Sequence, residues 1–145
     1  YTSGSTYYSI PKLEAGPHQL QFRAWDIQNN SSTATLTFNV VKNLKPSFDL
    51  GVTENPAKNS TTFIINHDRA SANLNIIIEV FDTSGRKLWH HAESGVSASG
   101  AYTIKWDLST GSGTLRTGIY LYRVQVSSDG SGYESKTKKL IVINN

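Results

Sequence analysis

Four histidines, eleven acidic residues and three tryptophans are the side chains here with the means to do chemistry, and lysines gather towards the end of the chain. His67-Asp68 has the order of a general base and its orienting carboxylate. It stands at a strand end in the polar run HDRASAN with no recognisable nucleophile nearby, so it is read as structural. His90 and His91 are neighbours on a predicted strand, so their rings leave opposite faces and cannot close on one ion. Asp82 in DTSG and Asp107 in DLSTGSG resemble pieces of calcium loops. The first lacks a second carboxylate, and the second lacks a third and the closing Glu, so both are read as turn caps. The chain has no Cys, which excludes a thiol nucleophile and thiolate zinc sites. No metal, no cofactor and no catalytic activity are expected of it.

Flat rings stack on sugar faces, and Trp25, Trp89, Trp106, Tyr120 and Tyr122 are candidates for such a platform. Trp106 shares its predicted face with Tyr102 and Ile104, however, and Tyr120 and Tyr122 share theirs with Val124 and Val126. These faces read as core. Trp25 differs: it stands beside Arg23, across the strand from Leu20 and Phe22, and is expected to pack on a second domain or a neighbour.

The elements that must carry these residues are strands. Between Val80 and Tyr122 the segments VFDTSGRKLW, YTIKWDL and TGIYLYRVQV alternate apolar and polar residues with period two, separated by Gly, Ser and Asp; the pattern predicts a β-meander. Leu74, Ile76, Ile78 and Val80 share one face of the strand leading in, and Tyr102, Ile104, Trp106 and Leu108 one face of a later strand. The two faces are expected to meet in a sandwich core. NLNIIIEVFD is apolar on both sides, as in a central strand covered on both faces. GVSASG and residues 109–117 are read as loops, and SKTKKLIVI as the last strand. About seven strands are expected over residues 47–145, and none of the chain has a helical period.

Upstream, residues 1–9 read as linker or fraying strand. A turn at Ala15-Gly16-Pro17 leads into a strand with Leu20, Phe22 and Ala24 on one face, and DIQNNSS turns the chain into a second strand with Ala34, Leu36, Phe38 and Val40. A lone hairpin with one apolar face is marginal in water, so residues 1–43 are read as the last strands of an upstream β domain. Residues 44–58 follow as linker and first strand, then residues 59–145 as a β-sandwich domain. The apolar face of Leu20, Phe22, Leu36 and Phe38 predicts dimerisation or strand exchange through residues 1–43.

The length of 145 residues suits one large or two small domains, and the formal charge of +3 is mild. Apart from Lys136, Lys138 and Lys139 the charges are scattered, so no nucleic-acid partner is expected. No apolar run approaches the roughly 20 residues that span a bilayer. Tyr1 begins no signal peptide, and the sequence reads as a fragment of a longer chain.

The run ENPAKNSTTFII, followed by VFDTSGRKLW, WDLSTGSG, TGIYLYRV and KKLIVI, resembles the carboxy-terminal secretion domain of type IX secretion proteins of Bacteroidetes-type bacteria. Its marks stand here as Asn55-Pro56-Ala57, the turn Asp82 to Arg86 with Gly85, the pair Trp106-Asp107, the strand start Gly118 to Tyr120, and Lys138-Lys139. The frame is also similar to the immunoglobulin-like domain of the flagellar hook-capping protein. The upstream LEAGPHQLQFRAWDIQNNSSTATLTFNV resembles the end of the gingipain-type sortase of the same secretion system, in which an immunoglobulin-like domain leads into the secretion-type domain. The resemblance implies a seven-stranded immunoglobulin-like sandwich at the bacterial cell surface, associated with the outer membrane. It also implies a parent cysteine peptidase whose catalytic Cys and His lie in another domain, and a role in docking that parent to an outer-membrane shuttle barrel. VTENPA departs from the usual Tyr-Pro-Asn-Pro start, which favours the sortase; a secretion signal domain of a cargo protein and a sugar-binding module remain the alternatives. The expected partner surface is the terminal strand, with Lys136, Lys138, Lys139, Leu140, Ile141, Val142 and Ile143. Lys138 and Lys139 face opposite sides, so at least one reaches solvent, and Leu140 to Ile143 suit a strand pinned into the sheet or offered for β-augmentation.

Overall fold

The computed structural model describes residues 7–10, 13–41, 44–128 and 130–144, and every regular element among them is a strand. The chain divides into two compact units, Tyr1–Lys42 and Asn43–Asn145. Of the linker expected at residues 1–9, all but 7–9 lies outside the described residues.

In the first unit β1 (Gly16–Trp25) pairs antiparallel with β2 (Ser31–Val40), without a slip from Gly16–Val40 to Trp25–Ser31. The strand already begins at Gly16, so the expected turn shrinks to a bend at Ala15. Asp26 builds the connecting turn. Its Oδ1 accepts the backbone N–H groups of Gln28 and Asn30 at 2.9 and 2.8 Å, and its own N–H donates to the Asn30 carbonyl at 2.9 Å. Asn29 takes the positive φ of 66° that this closure needs. The apolar face stays open: Leu20, Phe22 and Leu36 are exposed, while Phe38 is half-buried and stacks on His18.

The second unit is a seven-stranded immunoglobulin-like sandwich. Its strands are β3 (Phe48–Val52), β4 (Thr61–His67), β5 (Asn73–Phe81), β6 (Lys87–Val96), β7 (Ala101–Trp106), β10 (Gly118–Ser128) and β11 (Glu134–Val142), with a two-residue hairpin of β8 (Ser109–Thr110) and β9 (Gly113–Thr114) between β7 and β10. Four strands form one sheet in the order β11-β10-β5-β6, and three form the other in the order β3-β4-β7. Period two does the rest. Leu74, Ile76, Ile78 and Val80 of β5, with Tyr122, Val124 and Val126 of β10, face Phe63, Ile65, Ile104 and Trp106 across the sandwich, all buried. Phe63 packs beside the rings of Trp106 and Trp89, at 6.0 and 6.2 Å, and those two indoles stack on each other at 4.4 Å. Burying side chains of this size is worth roughly 1.5–3 kcal/mol each.

Three expectations are corrected. The stretch from Val80 to Tyr122 is not a meander: after the β5–β6 hairpin the chain crosses to the other sheet, where β7 pairs with β4, and β10 returns to pair with β5. Alternation tells a strand which of its faces is apolar, and it says nothing about the neighbouring strand. GVSASG is not all loop, since β6 runs to Val96, and within residues 109–117 the chain makes a small hairpin flanked by the buried Leu108 and Leu115. Finally, β5 is central, but its outer face is covered by ion pairs on the buried Glu79 rather than by a second layer.

Candidate functional site

The terminal strand β11 carries the residues expected to meet a partner, and its own alternation sorts them. Leu140 and Val142 point inward and are fully buried, so they hold the core and are withheld from a partner. Lys136 and Lys138 lie on the same side, where the inner face opens at the sandwich edge, and both reach β3. The Lys138 ammonium donates to the Leu50 carbonyl, and that of Lys136 lies 3.4 Å from the Asp49 carboxylate and over the Phe48 ring. Their aliphatic stems cover apolar surface while their charges stay wet. Lys139 and Ile141 point outward, Lys139 exposed and Ile141 half-buried. Ile143 is half-buried too, and its backbone is held.

That holding is the work of Asn55-Pro56-Ala57. The Asn55 side chain accepts the Ile141 N–H at 2.9 Å and donates to the Lys139 carbonyl at 3.0 Å, while Ala57 donates to the Ile141 carbonyl and accepts the Ile143 N–H, both at 2.8 Å. Pro56 joins them through a cis bond, and Ala57, fully buried, makes a parallel bridge to Val142. Those four bonds use up the outer edge of β11 from Lys139 to Ile143. Such bonds blunt the edge against a further strand over this stretch. Beyond the strand, Asn144 exchanges two hydrogen bonds with Thr117 and donates to the Leu115 carbonyl.

The other motif residues are structural in the same sense. Asp82 accepts the N–H groups of Ser84 and Arg86 at 3.0 and 2.9 Å, Gly85 takes a φ of 87°, and Arg86 returns to the carboxylate at 3.2 Å. The Ser84 hydroxyl and these N–H groups hold the Asp82 carboxyl below its ordinary value, and Ser109 does the same for Asp107. Trp106 donates its indole N–H to the Ser109 carbonyl at 2.9 Å. Gly118 opens β10 opposite Val142, and the Tyr120 hydroxyl donates to the Arg116 carbonyl four residues upstream, as in the tyrosine corners of immunoglobulin-like domains.

The histidines stay apart. His91 stacks on Trp89 at 5.5 Å and lies 3.4 Å from Glu93, while His90 sits over the other face, 3.7 Å from Glu79. His67 accepts the Arg69 N–H at its Nδ1, and desolvation lowers its basicity; Asp68 accepts the Ser47 N–H. Among the described residues no three His, Cys, Asp or Glu side chains gather as a metal site. Trp89 and Trp106 are committed to the aromatic stack, whereas Trp25 is exposed, with the Arg23 guanidinium 5.3 Å from its ring.

Sequence reasoning missed the outer face of the four-stranded sheet. Glu79 there takes Lys87 at 2.8 Å and Arg123 at 3.0 Å, and hydrogen bonding from Lys87, then from Arg123, draws its carboxyl down to about 2 against the pull of burial. The signal was available: a Glu inside the run IIIEVF can be buried only if cations reach it. Ile119 and Leu121 are exposed beside this network.

No family model and no curated protein matches the chain. Among solved structures, the crystal structure of dimeric latent PorU from Porphyromonas gingivalis is similar over 94% of this chain, with 35% sequence identity and a TM-score of 0.62. The chain spans 13% of that protein's length. The likeness bears out the resemblance to a PorU carboxy-terminal region. Domains d3-d4 of the rat CD45 extracellular region align over 93% of this chain and 70% of that one, at 11% identity and a TM-score of 0.39, too slight a likeness to build on.

Proposed function

We propose that this chain, as a PorU-like carboxy-terminal region, is a non-catalytic docking domain of a type IX secretion sortase. Its parent is a cysteine peptidase that removes cargo secretion signals, and the domain attaches that parent to an outer-membrane shuttle barrel at the cell surface. Residues 1–43 are the end of an upstream immunoglobulin-like domain, residues 44–58 the linker with the first strand, and residues 59–145 the secretion-type sandwich. The observation that carries this reading is 35% identity to PorU over 94% of the chain. It is supported by the way the secretion-type motifs converge on the terminal strand: Asn55 and Ala57 grip its edge, and Gly118 and Tyr120 open the strand beside it.

Co-elution of the chain with the detergent-solubilised shuttle barrel tests the reading. A stable complex is expected, together with no hydrolysis of Lys or Arg peptides. Absence of any complex would remove the docking role. Because Leu140 and Val142 belong to the core, removing the last ten residues would unfold the domain, so single side-chain changes make the informative variants. Exposure to an active sortase separates the cargo alternative: a cargo signal domain is cut off near its start, whereas the sortase's own domain stays intact.

A further inference from the structure

The grip of Asn55 and Ala57 occupies the edge of β11 between Lys139 and Ile143, so along that stretch the strand offers a partner its outer face rather than its edge. There the pairing of β11, β10 and β5 sets Lys139, Leu121 and Phe81 side by side in one row, with Ile141 beside Ile119 in the next. Ile119 is 52% and Leu121 40% exposed, while Phe81 and Ile141 are half-buried. Large aliphatic side chains offered together on a rigid sheet are the kind of centre around which interfaces form.

The charges on this face are unbalanced. Lys87, Arg123 and Lys139 stand against one carboxylate, Glu79, which already takes both Lys87 and Arg123. Lys139 makes no ion pair with a described residue. Three cations and one anion leave a formal +2 on the strands of this face. On the outer face of the three-stranded sheet the strands carry one cation, Lys105, and one carboxylate, Asp49, which Lys136 already approaches, for a formal charge of zero. The apolar row and the uncompensated charge therefore coincide on one side of the sandwich only.

We infer that the outer face of β10–β11, with Ile119 and Leu121 at its centre and Lys139 on its rim, is the surface that meets the partner. The partner is a protein face with carboxylates around an apolar centre. The inference rests on the docking reading above and assigns its surface and chemistry. The apolar centre supplies affinity by leaving water, while Lys139 steers approach and fixes orientation.

The test measures binding of the chain to the immobilised, detergent-solubilised shuttle barrel at low and high salt. The double change Ile119→Ser with Leu121→Ser is expected to weaken binding by tenfold or more. Lys139→Glu is expected to weaken it several-fold through slower association and to flatten the salt dependence. Lys138→Ala and Ile64→Ser, on the inner edge and the opposite sheet, should stay within about twofold of the parent. Thermal melts accompany each variant, and Ile119→Thr with Leu121→Thr, which keeps strand propensity, replaces the Ser pair if that pair melts early. Binding of all variants at parental strength would overturn the inference and leave the docking role standing; no binding by the parent chain would overturn both. Binding to phosphatidylglycerol vesicles in place of the barrel, or a dimer in light scattering that the Leu121 change dissolves, would overturn the acidic protein partner.

Discussion

Two hairpins in this chain are joined by the same turn and come to different ends. In DIQNN and in DTSGR an Asp accepts the N–H groups of the second and fourth residues after it, its own N–H donates to the carbonyl of the fourth, and the third takes a positive φ. In each, the fourth side chain returns to the Asp carboxylate, Asn30 at 2.9 Å and Arg86 at 3.2 Å. The strands differ in what covers them. Leu74, Ile76, Ile78 and Val80 of β5 lie beneath a second sheet, whereas Leu20, Phe22 and Leu36 of the β1–β2 hairpin are exposed. A turn can fix register and a period can fix a face, but only a second layer turns that face into stability.

The largest effect should come from that second layer. Phe63, fully buried, touches the rings of Trp89, Trp106 and Tyr122. Cutting it to Ala is expected to remove about 3–5 kcal/mol in denaturant unfolding followed by tryptophan emission. Phe22→Ala in the exposed hairpin is expected to leave the sandwich transition where it was. Equal losses would erase the distinction between the two regions.

This contrast also marks what was legible in the sequence. The faces of β5 and β7 could be read from period two alone, because Leu74 to Val80 and Ile104 with Trp106 repeat without a break. The partner strands could not, since the crossing from β6 to β7 depends on a turn that leaves the sheet. Asn55 was legible as a family mark, yet its bonds to Lys139 and Ile141 span 84 and 86 positions, beyond any local pattern. That Lys136 and Lys138 reach Phe48, Asp49 and Leu50 of β3 could not be read from the spacing of β11, because those contacts span more than 80 positions. The outer face went unread for a related reason: Ile119 and Leu121 alternate as correctly as the core residues between them, and only burial tells the two sets apart.

Acid should sharpen the comparison on the polar sides of the two hairpins. The outer face of β5–β6 is pinned by Glu79, whose carboxyl is lowered from 4.5 to about 2, while β1–β2 has only Arg23, hydrogen-bonded to Ser31 at 3.1 Å. A carboxyl lowered by folding stabilises the native state fully above its unfolded value and loses that contribution as pH falls through its folded value. The sandwich should therefore lose about 2 kcal/mol between roughly pH 4.5 and 2, after allowance for solvent screening at the half-exposed Lys87 and Arg123. Melts across that range are the measurement. Glu79→Gln should start lower and follow a flatter slope, and an unchanged slope would show that the network contributes nothing.

A smaller effect tests whether the two turns are the same device. Gly85 has a φ of 87°, and nothing lies within 4 Å of where its Cβ would be, so Gly85→Ala meets only backbone strain. The expected cost is about 1 kcal/mol. Asn29 already holds the matching position at 66°, so Gly85→Asn should cost about half as much or less. If Ala and Asn were equally harmful, the likeness of the turns would be superficial.

The smallest change in stability should come with a visible change in association. Leu20 and Leu36 are register partners across the exposed hairpin, 39% and 59% accessible, on a two-stranded sheet with both outer edges unpaired. Changing both to Ser removes little buried surface, and the sandwich melt should move by no more than about 0.5 kcal/mol. The apolar face, however, is what a second copy would cover, and the free edges give its strands somewhere to pair. Light scattering over a range of concentrations should show the unchanged chain associating and the double variant remaining monomeric further up the range. Charge does not blur the result, because Ser for Leu leaves the net charge as it was. A drop in the melt without a change in association would place Leu20 and Leu36 in a contact within the folded chain. A change in association alone would show that the hairpin's uncovered face is where a second copy binds.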